Sequence, residues 1–164
     1  MKRLILFAVS LSVVALPAMA QAPLAPGATP KRCLKEREVL TEQVIRHGIF
    51  LREASSRCES LESGSMRLWG DFNVAFGARL KQQTDNHNKW MQKQFGDDWK
   101  LAADYYDGRQ VTYYRNVPIN SAYCENIRKL LEANKSKGWG SFAKQAKALH
   151  DDVTLDFQLC EPPR

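Results

Sequence analysis

The segment from Cys33 to Cys58 constrains the fold more than any other, because it has the pattern of one long helix with a cysteine at each end. Small or apolar residues recur along it at helical spacing, which predicts one inward face: Leu40, Val44, Gly48, Leu51, Ser55 and Cys58. Charged residues fill most of the remaining circumference: Lys35, Glu36, Glu38, Glu42, Arg46, Arg52 and Glu53.

Gly48 leaves two interpretations of this segment open. Basic Arg46, then His47, Gly48 and apolar Ile49 resemble the end of a helix. The apolar face nevertheless continues in phase through Gly48, and a glycine inside a helix costs only about 1 kcal/mol. We favour one continuous helix, with or without a kink.

The chain has four cysteines, Cys33, Cys58, Cys124 and Cys160, an even number that predicts two disulfides in an exported protein. Their spacings lack CxxC and CxxCH, which argues against a thioredoxin-like centre, a zinc ribbon and attached haem. A straight helix would hold Cys33 and Cys58 about 37 Å apart, too far to pair. Both bridges would then join this helix to the C-terminal half. A chain that folds back at Gly48 would instead pair Cys33 with Cys58 and Cys124 with Cys160.

Residues 1–20 have the pattern of a cleaved signal peptide. Lys2 and Arg3 precede an apolar run, and the run ends in the small-x-small pattern Ala18-Met19-Ala20. Because the run is shorter than a bilayer requires, we expect an exported, periplasmic protein that does not span the membrane after cleavage. Residues 21–30, rich in Pro and Ala, predict a flexible tether, and residues 31–164 a single helical domain.

The rest of the chain also favours helices. We expect a second helix from about Met66 to Phe95, with the polar stretch 81–89 facing solvent or breaking it in two. A short helix starts at Trp99, a third major helix spans about 118–134, and a final one runs from Ser141, as its cap, to about Asp156. Between them, 105–118 contains Asp-Gly and β-branched and aromatic residues, which predict a small hairpin or ordered loop. The fold class expected is all-α: a disulfide-stapled bundle of about four main helices with a short irregular or hairpin insert.

Signal cleavage lowers the formal charge from +6 to +4, because residues 1–20 carry two basic and no acidic residues. That modest charge and export argue against nucleic-acid binding. Basic residues between 128 and 147 predict a solvated face, or weak attraction to an acidic surface.

No stretch has the full pattern of a catalytic or metal site, so we predict no catalytic residue, metal or cofactor. Ser141 and Lys144 fit S-x-x-K, but the accompanying S-D-N and K-T-G elements are missing, and helix capping explains the serine. The three histidines lack metal-ligand spacing. Asp152, near His150, belongs to a pair of adjacent carboxylates without a companion acid.

Aromatic residues interleaved with arginines form the best candidate for a partner-binding surface, since Tyr, Trp and Arg are enriched at binding hot spots. An irregular insert packed on a bundle would have the same composition. The candidate residues are Trp90, Trp99, Tyr105, Tyr106, Arg109, Tyr113, Tyr114 and Arg115.

Three functions remain possible. We favour a non-enzymatic binding, adaptor or inhibitor protein whose partner is another envelope protein. A small envelope hydrolase, using Ser141 with Lys144 or His150 with Asp152, is the first alternative. A carrier that holds a small apolar ligand between its helices is the second.

Overall fold

The computed structural model describes residues 33–160, except for the side chain of Leu155, and this part of the chain is an all-α bundle. The predicted signal peptide and the tether lie outside the described residues. Four long helices are followed by two short ones: α1 (Glu36–Cys58), α2 (Ser65–Phe95), α3 (Trp99–Asn116), α4 (Ser121–Lys137), α5 (Trp139–Leu149) and α6 (Val153–Asp156). Between residues 33 and 160, none of the helices combines the length and the hydrophobicity needed to cross a membrane.

The first helix, α1, is continuous through Gly48 and lies at the centre of the bundle, packed against α2, α3, α4 and α5. Gly48 allows α2 to approach closely, because a Cβ at this position would lie 3.3 Å from a methyl carbon of Leu80. The interpretation of one continuous helix is therefore confirmed.

One disulfide starts just before α1 and the other at its last residue, and both lead to the C-terminal half, as expected for a helix too long to be bridged to itself. Cys33 pairs with Cys160 at a Cα separation of 4.8 Å, and Cys58 pairs with Cys124 at 5.4 Å. Next to the first bridge, Leu34 forms an isolated parallel β-bridge with Leu159. The ends of the described chain are thus held together by covalent and backbone hydrogen bonds.

The apolar core consists of two clusters. The first includes Trp90, Met91 and Phe157, and the second includes Leu51 and Phe142. Along α1 the apolar clusters are interrupted by buried polar residues, which the sequence pattern placed on the charged circumference. Glu42, Arg46 and Glu53 are buried because α1 is enclosed on nearly all sides: Glu42 2%, Arg46 1% and Glu53 6% exposed.

The prediction of a hairpin or loop over 105–118 is wrong. Helix α3 continues through this stretch to Asn116, and the described residues contain no strand there. It buries Ala103, Tyr106, Gln110 and Tyr114, which are three or four residues apart and face α1 and α2. Packing of this face outweighs the local preference of the Asp-Gly pair and of the β-branched residues for other conformations.

Other helix boundaries differ from the predicted ones. Helix α2 is unbroken through its polar stretch, where His87 is the one fully buried residue. Asn120 caps α4 by accepting a 2.8 Å hydrogen bond from the backbone N–H of Tyr123. Ser141 is not a cap, because α5 begins two residues earlier after Gly138, whose φ of 74° suits glycine. The predicted final helix is divided into α5 and α6 at His150.

Candidate functional site

Five of the predicted surface residues are at least partly buried in the bundle. Trp90 and Tyr106 belong to the first apolar cluster, with 6% and 2% of their surface exposed, and Trp99 and Tyr105 pack against it. Tyr114 is 8% exposed. These rings contribute mainly to the core, as the alternative interpretation of this composition proposed.

The other three residues are more exposed. Tyr113 is 63% exposed. Arg115 donates a 2.7 Å hydrogen bond to Glu53, and Arg109 forms an ion pair with Asp156. The structure brings Arg109, Tyr113 and Tyr114 together at one groove and places the other candidates elsewhere.

This groove, which we call the α3 groove, has a volume of about 610 Å³. Its walls come from α1, α3, the end of α5 and the segment that joins α5 to α6. The lining residues are Phe50, Arg109, Gln110, Tyr113, Tyr114, Leu149, His150 and Asp152.

One side of the α3 groove is aromatic and apolar. The rings of Phe50 and Tyr114 are 5.1 Å apart, and Tyr113 packs edge-on against Tyr114 at the same distance. Leu149 is 50% exposed. Exposed Tyr113 and Leu149 therefore offer apolar contact area beside a largely buried aromatic surface.

A chain of hydrogen bonds runs from the α3 groove into the protein. Tyr114 Oη lies 3.3 Å from His150 Nδ1, His150 Nε2 lies 3.1 Å from His47 Nδ1, and His47 Nε2 lies 3.0 Å from Gln145 Oε1. The amide nitrogen of Asn134 donates to the same Gln145 oxygen at 3.0 Å, which supports the assignment of that atom as the oxygen of the Gln145 amide.

Gln145, at the end of this chain of hydrogen bonds, determines which atom donates and which accepts in each bond. Since Gln145 Oε1 can only accept, His47 carries its proton on Nε2 and accepts at Nδ1. His150 must then donate from Nε2, which leaves its Nδ1 to accept from the hydroxyl of Tyr114. Every ring nitrogen of the two histidines is used, and both rings are neutral.

Burial keeps these rings neutral at physiological pH. It lowers the pKa of His47 to about 3, and the adjacent His150 acts in the same direction. It lowers the pKa of His150 to about 4, and the charge of Arg46 adds to the effect. Burial also raises the pKa of the Tyr114 hydroxyl. A histidine with a pKa near 4 is a weak base, so the chain is suited to a fixed polar surface better than to proton transfer at neutral pH.

A buried ion cluster adjoins the polar end of the groove. The guanidinium of Arg46 donates to Glu42 at 3.1 Å, to Asp152 at 2.7 Å and to Asp156 at 2.5 Å. Arg109 donates to the other oxygen of Asp156. Asp152 and Arg109, which line the groove, are therefore held in place by buried partners.

The sequence pattern indicates neither this ion cluster nor the histidine chain. Glu42 and Arg46 have the i, i+4 spacing of a surface ion pair, which gives no sign of burial. The other partners of Arg46, Asp152 and Asp156, are more than 100 residues away in the chain. Only the position of α6 against α1 brings these groups together.

The two candidate catalytic pairs from the sequence are His150 with Asp152 and Ser141 with Lys144. His150 Nδ1 and Asp152 Oδ1 are 4.0 Å apart, beyond hydrogen-bond distance. The hydroxyl of Ser141 accepts a 3.4 Å hydrogen bond from Gln145 Nε2. Between residues 33 and 160, no group of three or more His, Cys, Asp or Glu residues is arranged to hold a metal ion.

Comparisons of this chain with protein-family models, with curated proteins and with solved structures found no match.

Proposed function

We propose that this is an exported, non-enzymatic binding protein, an adaptor or an inhibitor, that captures another envelope protein through the α3 groove. The observation that carries the proposal is the position of exposed Tyr113 and Leu149 beside a groove of about 610 Å³. Tyrosine and arginine beside a desolvated aromatic pocket are the usual composition of a binding hot spot. The signal-like residues 1–20 and the two disulfides support export.

The groove's chemistry favours a protein segment with one apolar or aromatic side chain. Such a side chain would rest against Phe50 and Tyr114, whose rings are already packed together. Arg109 is balanced by Asp156, so the groove lacks a strong charge to attract an ionic ligand.

Preorganisation supports the same proposal. The histidine chain and the Arg46 ion cluster fix the polar side of the groove before a partner arrives, which reduces the entropy lost on binding. A rigid, internally paired surface of this kind is suited to binding by shape and apolar contact.

The test is capture of a partner in the cell envelope of the native host. A photo-crosslinking amino acid replaces Tyr113, and the crosslinked proteins are purified unreduced and identified by mass spectrometry. Leu101 is the matched control position, because it lies on the same helix and is 56% exposed but does not line the groove. We expect one specific partner from position 113 and none from position 101.

Affinity measurements on that partner complete the test. Tyr113→Ala and Leu149→Ala should each weaken binding about tenfold or more, and Leu101→Ala should leave it unchanged. Circular dichroism should show equal helicity in all three variants. Equal binding by wild type and both groove variants would refute the proposal.

The volume of the groove supports one further candidate, a carrier of a small apolar ligand, because pockets for such ligands measure about 300–1,000 Å³. In that case a small molecule would co-purify with the protein and be seen by native mass spectrometry. Crosslinking at position 113 would then yield no protein partner.

A further inference from the structure

A second cavity, between α1 and α2, shares no residue with the α3 groove. We call it the α1–α2 cavity; its volume is about 230 Å³, roughly the space of seven or eight water molecules. Its lining residues are Arg37, Glu38, Thr41, Asn86, His87, Lys89, Trp90 and Lys93.

The outer part of the α1–α2 cavity is positively charged. Arg37, Lys89 and Lys93 are exposed, and within residues 33–160 none of them forms a salt bridge with a carboxylate. Glu38 is the acidic residue of the lining, and its carboxylate accepts a 3.0 Å hydrogen bond from the backbone N–H of Lys35 at the start of α1. The lining therefore carries two net positive charges without counting His87.

Two residues of the lining, His87 and Trp90, have buried nitrogens that lack a hydrogen-bond partner. His87 is 1% exposed and its Nδ1 lies 2.9 Å from Glu42 Oε2, but its Nε2 has no partner among the described residues. The same holds for the indole Nε1 of Trp90, whose ring is centred 5.6 Å from that of His87. Unpaired buried donors are unfavourable and rare, so two of them beside one cavity favour an acceptor there, either water or the oxygen of a ligand.

The carboxylate of Glu42, 2.9 Å from Nδ1, favours the protonated form of His87, in which Nε2 is a donor. Burial by itself would lower the pKa of His87, but the carboxylates of Glu42 and Asp107 outweigh burial and the opposing charge of Arg46, and raise it. The protonated ring carries a hydrogen on each nitrogen. One nitrogen faces Glu42, which leaves the Nε2–H for another acceptor.

We propose that the α1–α2 cavity binds a small anion that carries phosphate or carboxylate oxygens. The anion's oxygens accept hydrogen bonds from His87 Nε2 and Trp90 Nε1, and Arg37, Lys89 and Lys93 surround its outer side. The volume admits one such group on a small molecule. This proposal is independent of the α3 groove, so either can fail without the other.

The experiment observes the indole N–H of Trp90 by two-dimensional ¹H–¹⁵N NMR while inorganic phosphate, or citrate in a second titration, is added at constant ionic strength. The chain has four tryptophans, and Trp90→Phe assigns the resonance by removing it. We expect a saturable downfield shift of the Trp90 signal with at least one of these anions and no shift with chloride. Titrations without a saturable shift up to the millimolar range would overturn the proposal.

A charge-matched pair of double variants separates this site from general attraction to a basic protein. Lys89→Gln with Lys93→Gln removes two cations of the cavity, and we expect about tenfold weaker binding. Lys129→Gln with Lys135→Gln removes two cations from α4, where they pair with Glu125 and Asp71, and should bind as wild type does. An equal loss of anion affinity in both double variants would overturn the proposal of a specific site.

Discussion

Replacing Arg46 with Met tests whether the buried ion cluster supports the fold. The change keeps a side chain of similar length but removes a guanidinium that is 1% exposed and bonded to three carboxylates. Glu42 and Asp156 remain buried, at 2% and 3% exposure. Glu42 keeps His87 as a partner, and Asp156 keeps Arg109. Removing one side of a buried ion pair costs about 3–5 kcal/mol, a large part of the 5–15 kcal/mol typical of a whole domain.

The ionisation of Glu42 gives the combined magnitude of the interactions that His87 and Arg46 make with this carboxylate. Burial alone would raise its pKa, but His87 and Arg46 outweigh burial and lower it from 4.5 to about 2. A shift of that size corresponds to about 3 kcal/mol of stability, present above the unfolded pKa of 4.5 and lost as the pH falls toward 2. Without Arg46 the pKa of Glu42 rises, so the carboxyl is protonated more readily and the deficit of the variant shrinks in acid.

The assay is urea unfolding followed by circular dichroism at pH 7 and pH 4, with the disulfides intact. We expect Arg46→Met to lower the midpoint at pH 7 by about 2 M, and by less at pH 4. Arg67→Met, which removes an exposed arginine 3.8 Å from Asp71, should cost less than about 1 kcal/mol. Adding Glu42→Gln to Arg46→Met should restore part of the loss. A variant within 1 kcal/mol of wild type, or a deficit equal at both pH values, would refute the reasoning.

Three further predictions concern the fold. Gly108→Ala should stabilise the protein by about 0.5–1 kcal/mol in urea unfolding, because the residue is helical and a Cβ there would meet no atom within 4 Å. A loss of stability would instead support a turn at this position. Cys58→Ala with Cys124→Ala should cost about 4 kcal/mol by the chain-entropy model, since the bridge closes a separation of 66 residues; an unchanged unfolding midpoint would contradict this. In the folded protein His47 and His150 have pKa values of about 3 and 4, below the usual 6.5. As the pH falls, these histidines are therefore protonated in the unfolded state before they are protonated in the folded state. The free energy of unfolding should then decrease as the pH drops from 6.5 to 4. His150→Gln should reduce that slope in pH-dependent unfolding, and an identical slope would count against a buried neutral histidine.

The sequence by itself determined the fold class and most of the helices, and it favoured bridges from α1 to the C-terminal half without deciding which cysteine pairs with which. These features depend on local rules: helical periodicity marks α1, α2 and α4, and the length of α1 prevents Cys33 from reaching Cys58. Such rules need only the order of residues along the chain. They therefore hold before any tertiary contact is known.

Only the tertiary structure decided the state of residues 105–118 and the composition of the α3 groove. The local preference for a turn at Asp107-Gly108 is small beside the burial of Tyr106 and Tyr114 against the other helices. Likewise, the charge of Arg46 gives no hint of burial until α6 brings Asp152 and Asp156 to it. Interactions between residues more than 100 positions apart leave no periodic pattern in a single sequence. For this physical reason the candidate sites could be identified only in the tertiary structure.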